Sequence, residues 1–359
     1  MKILQVITSM RTGGAEKLVA DMATIIKDEG HQVDILLFYG IDTHLKQKLT
    51  KEGISIYSLG INNWIYNPLF IIMLIPYLKK YDIIHTHNTS CQLYVAIASL
   101  FVKKNKRAKL ITTEHSTTNR RRNIKIFKQI DKWMYRCYDC VVAISDKARE
   151  MLAEYSMMDN IRTIYNGVDL KKFNKSERND SVILNSNEIK ITMVAGLKPP
   201  KDQKTIIRAL KLLPQKYHLY LVGDGETRKD IETYIQSLAL TERVHILGMR
   251  SDIPELLHSS DIIVMSSHYE GLSLSSIEGM ASGRPFIASD VDGLHEITQG
   301  AGILFPEGDE KALATEIRCL IENKTHYEET AKKCQERASH YSIELTAEKY
   351  LNIYTELSK

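Results

Sequence analysis

Two acids stand eight positions apart in HYEGLSLSSIEGMASGRP, residues 268–285: Glu270 and Glu278. The residues between them are mostly small, with serines at 273, 275 and 276. The preceding DIIVMSS is an apolar run that predicts a buried strand, and HYEGLS predicts a loop. Ser273 is a good helix N-cap, and residues 274–282 form a helix stopped by Gly283 and Pro285. Glu270 then lies at the carboxyl end of a strand and Glu278 one turn into the helix. Leu274, Ile277 and Ala281 form the packed stripe. The first helical turn offers backbone N–H groups to an anion such as a diphosphate, and a helix end alone is worth ~0.3–2 kcal/mol. A surface helix with a routine cap explains the serine, but not an acid on each side of an anion site.

Other chemistry-bearing residues also follow strand-like runs. SMRTGGAEKLVADMA (9–23) puts Gly13 and Gly14 before an amphipathic helix, where a backbone can approach a ligand closely. The GxGxxG dinucleotide fingerprint is absent, and a plain tight turn is the simpler reading of the glycines alone. HTHN (85–88) and EHSTT (114–118) bring His87 and His115 to neighbouring strand ends. His85, His87 and His115 invite a zinc site; one histidine bonded to a substrate hydroxyl is simpler. GLKPPKDQKT (196–205) places Lys201 where it can meet a phosphate as a point charge. Gly223 and Gly225, in VGDGETRKDIE, let the backbone pass a nucleotide or make a turn.

These residues need strands to hold them. Strand-like runs alternate with helical patterns twice along the 359 residues, which predicts α/β architecture with parallel sheets covered on both faces. In such sheets ligands bind at the carboxyl ends of strands. The polar segment 169–188 predicts a linker near residue 180. The predicted domains are 1–180 and 181–340, and the helical pattern 341–359, with Leu345, Tyr350, Ile353 and Leu357 in its stripe, crosses back to the first domain.

Composition excludes other classes. The chain is 43% hydrophobic and 26% charged, a globular balance. PLFIIMLIPYL (68–78) is broken by Pro76 and too short for a span of ~20 residues, so it predicts a buried or interfacial helix. MKILQVIT predicts a first strand and no signal peptide. Five cysteines without a secretion signal suggest reduced thiols and a cytoplasmic setting. CYDC (137–140) is a lone CxxC lacking the second pair a zinc site wants. Residues 1–180 carry 28 Lys/Arg against 18 Asp/Glu, and 181–359 carry 20 against 26. A basic first half suits an anionic ligand or surface. No aromatic–basic nucleic-acid motif accompanies it.

Taken together, TGGAEK, DIIHTHN, TEHS, VVAISDKARE, IYNGVD, PPKDQKTIIRAL, LVGDGETR, SDIPELLHSSDIIVMSSHYEG, EGLSLSSIE and ASGRPFIASDVDG resemble, in this order, the retaining GT-B glycosyltransferases of family 4, of the bacterial surface-polysaccharide type. The resemblance covers nearly the whole chain. It implies two Rossmann-like domains facing a cleft, with a nucleotide-sugar, UDP-linked by family frequency, in the C-terminal one and a glycan or polyprenyl-diphosphate-linked acceptor at the basic N-terminal one. It implies that Glu270 contacts the donor sugar and Glu278 the ribose. The amides of Leu274 and Ser275 hold the distal phosphate, Lys201 neutralises the diphosphate, and His115 lies beside the transferred sugar. Gly14 lets its loop approach the donor. Many members carry an arginine where this chain has Gly196; Lys198 is the nearest substitute. The resemblance implies same-face attack, with the departing phosphate helping to deprotonate the acceptor, and no metal cofactor. DVD (290–292) mimics a metal-binding motif of another glycosyltransferase fold, but here predicts a loop. Rival readings are a nucleotide-sugar 2-epimerase of this fold, a GDP-mannose-dependent mannosyltransferase and a non-catalytic binding module. The basic amphipathic segment 119–136, with Ile124, Phe127, Ile130 and Trp133 or Met134 on one side, together with residues 63–70, suggests peripheral contact with an anionic membrane on the inner face of the cell membrane.

Overall fold

The computed structural model describes residues 1–11, 13–60, 66–115, 124–175 and 188–359. They form two compact units: Met1–Gly167 together with Ile343–Lys359, and Val168–Ser342. The division falls at 167/168, and the linker expected near residue 180 lies outside the described residues.

The first unit holds seven parallel strands: β1 (Lys2–Ile7), β2 (Gln32–Leu37), β3 (Ser55–Ser58), β4 (Ile83–His87), β5 (Lys109–Glu114), β6 (Cys140–Ala143) and β7 (Ile161–Thr163), in the order β3-β2-β1-β4-β5-β6-β7. The second holds six: β8 (Ile189–Val194), β9 (Tyr217–Val222), β10 (Val244–Gly248), β11 (Ile262–Met265), β12 (Phe286–Ser289) and β13 (Ile303–Phe305), in the order β10-β9-β8-β11-β12-β13 and again all parallel. Both are the doubly wound order, in which the connection reverses beside the first strand, between β1 and β4 and between β8 and β11. Loops diverge there, so each unit has a crevice at the carboxyl ends of those strands.

The strands read as near-continuous apolar runs because helices cover both faces. On one face of the first sheet, helices Gly14–Asp28 and Ile343–Ser358 share a core with Ile3, Ile35, Ile83, Ile111 and Val142. On the other, Phe38 meets Phe70 and Tyr94 edge-on, at 5.5 and 5.6 Å. Each fully buried aliphatic side chain contributes ~1.5–3 kcal/mol.

The last helix belongs to the first unit, but its stripe differs from the one expected. Ile343, Ala347, Tyr350, Ile353 and Tyr354 are buried, whereas Leu345 is 41% exposed. Leu345 is five residues from Tyr350, which at 3.6 residues per turn puts it off the inner face. In helix Lys125–Arg136 the inner position goes to Met134; Trp133 and Ile124 are exposed. Residues 119–123 and 63–65 of the expected membrane segments lie outside the described residues. Helix Leu69–Lys80 contains Pro76, buries Phe70, Leu74 and Leu78, and exposes Leu69, Ile72 and Met73. No described helix is long and apolar enough to cross a membrane. All five cysteines are free, including Cys137 and Cys140.

Candidate functional site

Each unit carries its own group of candidate residues at the strand ends flanking its crossover.

In the second unit the chain leaving β8 folds over the end of β11. Lys201 forms an isolated antiparallel bridge with Ser267, the Asp202 amide donates to the Ser266 carbonyl (3.0 Å), and the His268 amide donates to the Pro200 carbonyl (2.9 Å). This pairing delivers Lys201 to Glu270, and their side chains form an ion pair. The Ser267 hydroxyl donates to the same Glu270 oxygen (3.0 Å) and fixes the carboxylate. Burial, and then the positive charge of Lys198, lowers the Lys201 pKa to about 8. At pH 7 the ammonium is still mostly protonated, and the Glu270 carboxylate favours that form.

Next to this pair begins helix Leu274–Ala281. Ser273 caps it, accepting from the Ser276 amide through its side chain (3.3 Å). The amides of Leu274 and Ser275 belong to the first turn and have no intrahelical acceptor. The helix is not a surface helix: Ser276 through Ala281 are all buried, Glu278 being 6% exposed. The expected stripe of Leu274, Ile277 and Ala281 is therefore only part of the buried surface, and Leu274 itself is half-buried. Gly279 makes this possible, because a Cβ there would press on Ile263 and the Phe286 ring.

The glycines divide into two kinds. Gly223, at φ +139°, and Gly225 face backbone: a Cβ at either would strike the carbonyl of Ala195 or of Leu197. They seat the loop after β9 against the loop after β8, through Ala195 N–H to Val222 O (2.9 Å) and Leu197 N–H to Asp224 O (3.1 Å). This close approach between two loops accounts for glycine at both positions. Gly196 is different. A Cβ there meets nothing nearer than 3.6 Å, and the Lys198 stem lies beside it. The position has room for a Cβ.

Two contributors were missed in the sequence. Ser267 orients Glu270, and Gly293 (φ +80°) lets its loop lie against the carbonyls of Glu270 and Gly271. Gly293 follows the DVD segment, whose Asp290 is bonded to His295 (2.6 Å). Asp290, Asp292 and His295 line an open depression of ≈ 370 Å³ with His268, Tyr269 and Glu307.

In the first unit Gly13 caps helix Gly14–Asp28 with an extended backbone (φ −169°), which any residue adopts, so its use of glycine is not conformational. A Cβ on Gly13 would meet the flexible carboxyl end of Glu16. The histidines do meet. His87 Nδ1 lies 2.9 Å from His115 Nε2, and the His85 and His87 rings are 4.1 Å apart.

Their proton positions follow from their neighbours. Gln5 donates its amide to the Tyr354 hydroxyl (3.2 Å) and accepts at Oε1 from His87 Nε2 (2.8 Å). His87 Nδ1 is then an acceptor, so His115 donates from Nε2. That leaves His115 Nδ1 unprotonated, buried, and without a hydrogen-bond partner among the described residues. The Tyr354 hydroxyl donates to His85 Nδ1 (2.7 Å), and His85 Nε2 donates to Thr113 (2.7 Å). Burial lowers the His115 pKa to about 4; burial, then neighbouring histidines, holds His85 and His87 well below the ordinary value. All three are neutral at pH 7. Both nitrogens of His85 and of His87 are engaged within the protein, so the trio does not fit zinc, and His115 Nδ1 is the acceptor of the three left unused among the described residues. Beside it Asn88 holds φ +71° and ψ +142°, a strained conformation for a non-glycine residue of the kind that clusters at functional sites.

Two family models match in succession: Glycosyltransferase Family 4 over residues 12–172 and Glycosyl transferases group 1 over residues 174–341. The chain is a family 4 glycosyltransferase. It is 30% identical over 233 residues, 60% of this chain and 59% of the relative, to an Escherichia coli UDP-Gal:alpha-D-GlcNAc-diphosphoundecaprenol alpha-1,3-galactosyltransferase. It is also 30% identical over 204 residues, 54% of this chain and 53% of the relative, to a Campylobacter jejuni N,N'-diacetylbacillosaminyl-diphospho-undecaprenol alpha-1,3-N-acetylgalactosaminyltransferase. Each alignment thus spans less than two thirds of the relative. Anabaena Alr3699/HepE, solved in complex with UDP, superposes with a TM-score of 0.86 over 99% of this chain and 100% of that one, at 23% identity. The glycosyltransferase has the GT-B fold.

Proposed function

We propose that this glycosyltransferase moves a hexose or N-acetylhexosamine from a UDP-sugar to a polyprenyl-diphosphate-linked glycan in bacterial polysaccharide or O-antigen assembly, with retention and without a metal cofactor. The observation that carries the reading is the Lys201–Glu270 ion pair, fixed by Ser267 beside the first turn of helix Leu274–Ala281. A cation next to unbonded amides is suited to a leaving diphosphate. UDP as the nucleotide is supported by the E. coli relative and by the UDP complex of the structural neighbour, and the lipid-linked acceptor by the E. coli and Campylobacter relatives.

In this reading Lys201 and the amides of Leu274 and Ser275 take the diphosphate, Glu278 the ribose and Glu270 the sugar. The bond from the anomeric carbon to phosphate oxygen breaks, leaving its electron pair on UDP. The acceptor oxygen bonds the anomeric carbon on the same face, and its proton passes to the departing phosphate. His115 Nδ1, a fixed acceptor, receives a hydrogen bond from a sugar hydroxyl. Lys201 supplies the charge that a metal supplies elsewhere.

The test is thermal stabilisation by UDP, GDP, ADP, CMP and their sugars, with and without EDTA. A shift by UDP and UDP-sugars that EDTA leaves intact is expected. A response to GDP alone supports the mannosyltransferase reading. Isomerised donor formed without acceptor supports the epimerase, and no response to any nucleotide sinks the transferase reading. Membrane contact is part of the proposal, on the exposed Leu69, Ile72 and Met73 with Lys79 and Lys80 on the same helix. Flotation with anionic liposomes is expected, and its absence removes that element alone.

A further inference from the structure

At the opposite ends of the second sheet, where β8, β9 and β10 begin, three ligating side chains converge. Glu188 precedes β8, His218 is the second residue of β9, and His245 is the second of β10. The register pairs Lys190 with His218 and Tyr220 with His245, so alternation along the strands turns Glu188, His218 and His245 to one face. His218 Nδ1 is 3.2 Å from His245 Nε2 and 3.6 Å from a Glu188 oxygen, and the three ligand atoms lie within 4.8 Å of one another. Two ligands at zinc bond lengths of ~2.0–2.1 Å and a tetrahedral angle stand about 3.3 Å apart. Both short separations are within the reach of one ion, and 3.2 Å is also that of a hydrogen bond between the two imidazoles.

The surroundings fit as well. The Tyr220 hydroxyl donates to the Glu188 oxygen (2.9 Å) and orients it, as outer partners of metal ligands do. The Tyr220 ring stacks on His245 at 4.7 Å, and the His218 ring lies 5° from parallel to it, which sets both imidazole planes. All three ligands are half-buried. We propose that Glu188, His218 and His245 form a binding site for a zinc-type divalent cation that ties three neighbouring strands together. It lies at the strand ends away from Lys201 and Glu270, so its role is to stabilise the second unit, and it stands independently of the donor and acceptor proposed above. The competing arrangement is a hydrogen-bonded cluster in which Glu188 is satisfied by protein groups alone. Lys190, buried on the same face, is the cation that would serve it.

The experiment uses the full chain, stripped with a chelator and dialysed against Zn2+, with bound metal measured by elemental analysis. The Co2+ form is read by its visible d–d absorption. One ion per chain, a tetrahedral Co2+ spectrum and a Zn2+-dependent rise in Tm are expected, all lost in His245→Ala and the affinity at least tenfold weaker in Glu188→Gln. If His245→Ala does not fold, Glu188→Gln and the Co2+ spectrum decide. No retained metal, or equal retention by the wild type and Glu188→Gln (an adventitious ion only), overturns the proposal.

Discussion

Lys201 and Glu270 form an ion pair, and the proposed role of Lys201 on the diphosphate makes its variant a test of activity. Lys201→Ala is expected to lower kcat by 10²–10³-fold, the scale of losing one charge-stabilising donor, and steady-state kinetics on any accepted donor measures it. A variant that keeps kcat removes Lys201 from the reaction. Gly196→Arg is the reverse case. A Cβ meets only ordinary contacts there, so Tm should hold while UDP binds several-fold tighter, measured by calorimetry; a loss of UDP affinity shows that Lys198 already fills the role. Gly223→Ala must move a neighbouring carbonyl, and a loss of ~1–3 kcal/mol is expected from denaturant unfolding. At this scale the sequence showed which residue types stand at strand ends. It did not show Ser267 or Gly293, whose roles depend on a bridge and a loop contact between distant segments. Nor did it show which histidine nitrogen is left over. That follows from Gln5 and Tyr354, 349 positions apart.

Elements were more legible than residues, because periodicity is local. All thirteen described strands lie where apolar runs predict them, since a parallel strand covered on both faces must be apolar almost throughout. Helix faces were read less well where a stripe could be drawn two ways, as at Trp133 and Met134 and at Leu345; the partner surface decides, and one helix's pattern does not contain it. The helix Ile343–Ser358 reaches furthest, with Tyr354 and Tyr350 holding His85, Gln5 and Thr113. Tyr354→Phe removes one hydroxyl and strands two buried partners, so a loss of ~2–4 kcal/mol is expected. Chemical unfolding checks it, and a loss below ~0.5 kcal/mol shows that the network carries no stability.

For the molecule as a whole, the neutral histidines set an acid limit. His115 takes up its proton near pH 4 when folded and near 6.5 when unfolded. The unfolded chain therefore binds more protons between these values, and stability falls as pH drops from about 6.5 towards 4. His85 and His87, lowered further, extend the loss in the same direction. Tm scanned from pH 8 to 5 should fall by several degrees below pH 6.5, at ~2–4 °C per kcal/mol; a flat profile would mean that these imidazoles are not buried as neutral groups. The first unit is also built from two stretches of chain, 1–167 and 343–359, with the whole second unit between them. Synthesis runs from the amino end, so the unit that comes second along the sequence is the first to have all its residues outside the ribosome. The first must wait, its histidines without Tyr350 and Tyr354, until the last helix emerges. A nascent or prematurely ended chain can therefore possess a finished second unit while the first still lacks its closing helix.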